Sequence, residues 1–146
     1  MSETGTKVPW HKVLAKAMYL VDHPGITSVN QVLYEFPELT WDESEPGPGG
    51  MGKIAYAVLE RNPETREIHV LVALENAVAP EHIHGGTQPA MPYGELIIVL
   101  AGTMDDMGDD EKPVRLTAGM HFAHGPDTRH QPRTDSFCLV YYHQPR

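Results

Sequence analysis

A single cysteine, Cys138, is all the thiol chemistry in the 146-residue sequence, which excludes an internal disulfide framework. Positive charge is scarce as well. Eleven Lys and Arg stand against twenty Asp and Glu, a formal charge of −9, so any phosphate-binding surface would have to be built against the overall field. Nucleic acid is therefore not an expected partner. Long apolar runs are missing too, none approaching the roughly 18 residues of a membrane helix. The polar stretch Met1 to Val8 lacks the basic, apolar and small-residue regions of a signal peptide. The expectation is a soluble, cytoplasmic protein.

What the sequence does contain is the composition of a globular chain, 40% hydrophobic and 21% charged, at the length of one domain. Thirteen Gly and thirteen Pro punctuate it, and between them lie short β-rich runs rather than long segments of 3.6-residue period. The predicted strands are Ser28 to Phe36, Lys53 to Arg61, Glu67 to Leu74, Glu95 to Ala101 (ending at Gly102), Pro113 to Leu116, Met120 to His124 and Ser136 to His143. Asn62-Pro63-Glu-Thr-Arg reads as a hairpin loop that makes its flanking strands antiparallel. Asp42 to Gly52, with Glu-Pro-Gly-Pro-Gly-Gly at its centre, reads as a long surface loop. Only Trp10 to Tyr19 hints at a helix, and no internal repeat is present. The class is all-β, a sandwich or small barrel, in one domain over 1–146: an extension over 1–52 with one strand and a Pro/Gly-rich loop, then a core over 53–146.

The chemistry lies in the histidines. His82 and His84 are two apart in Glu-His-Ile-His, so on an extended backbone both leave the same face. Nine histidines produce such a pair readily by chance, and the context adds more than the pair. In the strand from Glu95, alternation puts Glu95, Ile97 and Val99 on one face and Leu96, Ile98 and Leu100 on the other, so one carboxylate heads a doubly apolar strand. Burying an unpaired charge is costly, and a metal or an arginine is the usual compensation. From Gly119 the sequence Gly-Met-His-Phe-Ala-His-Gly-Pro-Asp-Thr-Arg-His130 reads as strand, turn and a third histidine on the returning chain.

These residues resemble the two cupin motifs. His82-x-His84 follows Asn76 at the family's five-residue spacing, with Asn where the family has Gly, and Glu95 stands seven positions before Gly102. The second motif's histidine lies eleven positions after its glycine, as His130 does after Gly119. Between the halves of the first motif ten residues, Gly85 to Gly94, replace the usual three or four, and Gly125, Asp127 and Thr134 depart from the second. The resemblance covers Val70 to His143, and Gly94 to Asp106 is similar to the Gly-Glu-x-x-x-Val-Leu-x-Gly-x-x-x-Asp stretch of ChrR-like cupins.

The resemblance implies a small antiparallel double-stranded β-helix, a jelly-roll barrel, with an N-terminal strand through which such barrels commonly form homodimers. It implies one divalent transition metal held by His82, His84 and His130, with Glu95 as the fourth ligand or, if the insertion displaces it, with water in its place. Three imidazoles and a carboxylate suit Fe(II), Mn(II), Ni(II), Cu(II) or Zn(II). Fe(II) is favoured because the resemblance points to a dioxygenase acting on a small diketone- or phenolic-ketone-like substrate. Two other readings stand beside it: a redox-neutral isomerase or lyase, and a non-catalytic sensor. Tyr93, His124 and Arg129 flank the ligand candidates as pocket residues; His121 and His124, three apart, face opposite ways. His11, His23, His69 and His143 read as ordinary polar residues, Cys138 as a buried structural thiol, and Asp105 to Glu111 as a solvated turn without calcium-loop spacing.

Overall fold

The computed structural model describes residues 10–22, 25–44, 52–62, 64, 67–78, 82–83, 95–107, 113–124 and 129–144. Two helices, α1 (Trp10–Asp22) and α2 (Val29–Glu35), precede eight strands: β1 (Asp42–Ser44), β2 (Lys53–Arg61), β3 (Ile68–Val78), β4 (His82–Ile83), β5 (Glu95–Met107), β6 (Pro113–Thr117), β7 (His121–His124) and β8 (Arg129–Gln144). The expected hairpin is present: Val58 faces Val70, and across its loop Asn62 N–H donates to the Glu67 carbonyl at 2.9 Å.

β5 and β8 are longer than expected, and this length makes the architecture. The C-terminal part of β8 lies between β3 and the start of β5, which also pairs with β7; its N-terminal part lies between β4 and the end of β5, which also pairs with β6. Two half-sheets thus share two bent strands, the jelly-roll arrangement. Gly102 does not end β5 but bends it, at φ +78, between register shifts on either side. A Cβ at this position would lie 2.0 Å from the Phe137 carbonyl oxygen, so only glycine allows the approach.

Alternation along these strands separates two apolar clusters. The inner one joins the half-sheets: Leu74, Ile97, Val99, Val140 and Tyr142 from the first meet Met104 and Leu116 from the second. The outer one places Leu71, Ala73, Leu100, Leu139 and Tyr141 under Val13, Ala17, Val29, Val32 and Phe36 of the helical segment. Each half of the sheet pattern read from Glu95 to Leu100 therefore has its own core.

Three expectations are corrected. Ser28 to Phe36 is not a strand but the N-cap, body and C-cap of α2. The Ser28 hydroxyl accepts from Gln31 N–H at 3.2 Å, and Gln31 Oε1 accepts from Thr27 N–H at 2.7 Å, a capping arrangement that closes the first turn. Val29, Val32 and Phe36 then fall on one buried stripe at three- and four-residue spacing. The span Asp42 to Gly52 is not wholly loop, since Asp42–Ser44 forms β1, paired with Ile54 to Tyr56; 45–51 lie outside the described residues. Asp105 and Asp106 belong to β5 rather than to a solvated turn, and Asp106 is 2% exposed. No helix among the described residues is long and apolar enough to cross a membrane.

Candidate metal centre

The sequence candidates enter the fold through backbone register. β4 pairs with the start of β8 so that His82 lies directly opposite His130, and Ile83 opposite Arg129. Opposed residues of an antiparallel pair have Cα atoms about 4.5–5.5 Å apart and share a face. Position 130 has the alternation of Pro132 and Thr134, both buried. Glu95 is the first residue of β5, opposite His124 of β7, at the alternation of Ile97 and Val99 in the inner cluster. His121 lies opposite Ile98 and is exposed. His84 and Tyr93 fall outside the described residues.

Imidazole and carboxylate are donors that fit a divalent transition metal in kind. The inner cluster with which Glu95 alternates along β5 is apolar, with Ile97, Val99, Met104 and Leu116 among its members. Asp106, opposite Pro132, adds a buried carboxylate on the same bent strand as Glu95.

A second group of donors was missed by the sequence reading, which took His69 and His143 as unrelated. β3 and β8 pair His69 with His143. Their rings stack with centroids 4.6 Å apart and planes 11° from parallel. Glu67 Oε1 is 2.8 Å from His143 Nε2, and the Tyr141 hydroxyl is 2.6 Å from His69 Nδ1. Burial, then the neighbouring His143, hold the His69 pKa below its ordinary value, against the opposing pull of Glu60 and Glu67. Glu67 and His69 are two apart along the chain, but only pairing across β3 and β8 brings His143 to them.

Comparison with solved structures settles the architecture. A DMSP lyase, DddQ, from Ruegeria pomeroyi matches with a TM-score of 0.60 at 16% identity, covering 100% of this chain and 76% of that one. A predicted oxalate decarboxylase from Thermotoga maritima matches with a TM-score of 0.59 at 17% identity, covering 75% of this chain and 96% of that one. A cupin 2 conserved barrel domain protein from Rhodopseudomonas palustris gives 0.58 at 9% identity, over 73% of this chain and 71% of the other. The chain has the cupin fold. No protein-family model matches it, and no curated protein does. Within the cupin fold, β5 carries positions 95–106 of the stretch that resembles ChrR-like cupins, and the two motif glycines, Gly102 and Gly119, both adopt positive φ, +78 and +93. The motif spacings thus coincide with backbone requirements: a bend in β5 at Gly102 and the turn before β7 at Gly119.

Proposed function

We propose that this cupin is a metal-dependent enzyme acting on a small oxygenated organic substrate at the barrel interior, with His82, His84, His130 and Glu95 holding one divalent ion, Fe(II) in the favoured case. The observation that carries the reading is the direct opposition of His82 and His130, far apart in sequence and aligned by β4 and β8. When bound, such an ion supplies Lewis acidity and, as Fe(II), one-electron chemistry toward O₂. The chain's own residues would do the rest. The apolar interior around Ile97, Val99 and Met104 excludes water, while Arg129, His124 and Tyr93 flank the ligand candidates and would orient the substrate's oxygen atoms.

Metal analysis of protein purified without a polyhistidine tag, followed by anaerobic Fe(II) loading and oxygen uptake across diketones and phenolic ketones, tests this. Oxygen consumption that is lost in His82→Gln and His130→Gln supports it; no consumption with any substrate defeats the oxygenase assignment. A redox-neutral lyase or isomerase is the second reading, favoured by the likeness to the DMSP lyase over the whole chain. It predicts turnover without O₂. The proposal extends to a homodimer, although Ser28 to Phe36, expected as the strand reaching a neighbour, forms α2 and cannot serve as that strand; a sedimentation mass equal to one chain would refute this part.

A further inference from the structure

Away from the barrel interior, Glu67, His69 and His143 bring one potential ligand atom each to within 4.8 Å of one another. His69 and His143 alternate with Leu71, Ala73, Leu139 and Tyr141, the outer side of the sheet, whereas Glu95 alternates with the inner residues Ile97 and Val99. His82 follows the opposite, C-terminal end of β3, whereas Glu95 lies at the same end of the sheet, next to Leu96 opposite His143, at an inner-face position of β5. The group is therefore separate from the proposed barrel centre.

Three features distinguish it from a chance meeting of polar side chains. The donor set is two imidazoles and one carboxylate, which suits Zn(II), Fe(II) and their neighbours and leaves coordination positions for water. The side chains are largely withdrawn from solvent, His143 at 14% exposure and Glu67 at 27%, so few competing waters surround the donors. And His69 already has an orienting partner: the Tyr141 oxygen lies 2.6 Å from Nδ1, and in the tautomer whose Nδ1–H donates to it, Nε2 carries the lone pair, as in the hydrogen-bonded histidines that ligate metals. The 2.8 Å contact between His143 Nε2 and Glu67 Oε1 is a proton-bridged pair that a cation can replace by entering between the two atoms.

We propose that Glu67, His69 and His143 form a second, peripheral site for a divalent transition-metal ion, with Zn(II) as the fitting probe and Tyr141 as a positioning residue. The site is independent of the barrel centre and of its chemistry. Its test is Zn(II) titration of tag-free, metal-stripped full-length protein, comparing wild type, Glu67→Gln/His143→Gln, Tyr141→Phe and His82→Gln/His130→Gln. The cluster variant should bind one equivalent fewer than wild type whether or not the barrel centre binds zinc. The barrel variant should keep that equivalent, and Tyr141→Phe should weaken it by about tenfold. Unchanged stoichiometry and affinity in the cluster variant overturns the site. Because His143 lies beside the core, crystals of wild type grown with Zn(II) give a second readout. An anomalous peak about 2.0–2.2 Å from Glu67, His69 and His143 supports the site, and zinc bound elsewhere with none here rejects it.

Discussion

Gly102 shows how far one residue constrains this barrel. It holds φ +78 while Phe137 passes so close that a Cβ would meet backbone at 2.0 Å and 2.8 Å, contacts that no side-chain rotation relieves. Gly102→Ala is expected to lower stability by about 2 kcal/mol or more, measured by urea unfolding, because both the left-handed backbone and the clash oppose a methyl group. Cys138 makes the opposite case of a residue with latent chemistry that its surroundings silence. It is fully buried in the inner cluster, and burial pushes its thiol pKa far up, opposed only by a backbone hydrogen bond from Leu74. A protonated, enclosed thiol is a poor nucleophile. Native protein should resist iodoacetamide at neutral pH, and the same protein in denaturant should take one label; rapid labelling of the folded state would contradict this burial.

At the scale of elements, α2 is the place where local sequence misleads. Val29, Val32 and Tyr34 have strand propensities, and a seven-residue helix has too few turns for its period to stand out. Yet the deciding signal is local: Ser28 and Gln31 stand in capping-box spacing, and the structure uses both. Val29 N–H then donates to Glu75 Oε1 at 2.9 Å, tying the first turn to β3. Ser28→Ala should cost about 1 kcal/mol by thermal or chemical unfolding. A null effect would mean that the Glu75 contact and the packing of Phe36 hold the helix without its cap. β5 and β8 were read short for a different reason. Their outer ends, Thr103 to Met107 and Arg129 to Asp135, mix charged and polar residues with few apolar ones, and pairing with β6, β4 and each other keeps them extended.

For the whole molecule, the central consequence is a sheet with two apolar sides. The inner side closes on itself through the jelly roll, whereas the outer side depends on α1 and α2 for cover. Phe36, with no exposed surface, is the largest fully buried side chain among the described residues. Phe36→Ala is expected to cost about 3–5 kcal/mol in unfolding free energy. It should also raise binding of a hydrophobic dye, since the face over Leu71, Leu100 and Leu139 loses its lid; loss of stability without dye binding would place the damage elsewhere.

The sequence by itself determined the all-β class, the β2–β3 hairpin and the two-sided apolar pattern of β5. Alternation and turn chemistry act over a few residues and need no distant partner. It also marked Gly102 and Gly119, whose spacings reflect backbone conformations that glycine alone adopts freely. Tertiary structure decided what required partners distant in the chain. It opposed His82 to His130, buried Asp106, and gathered Glu67, His69 and His143, because cross-strand register brings residues together by hydrogen-bonded pairing rather than by nearness in sequence.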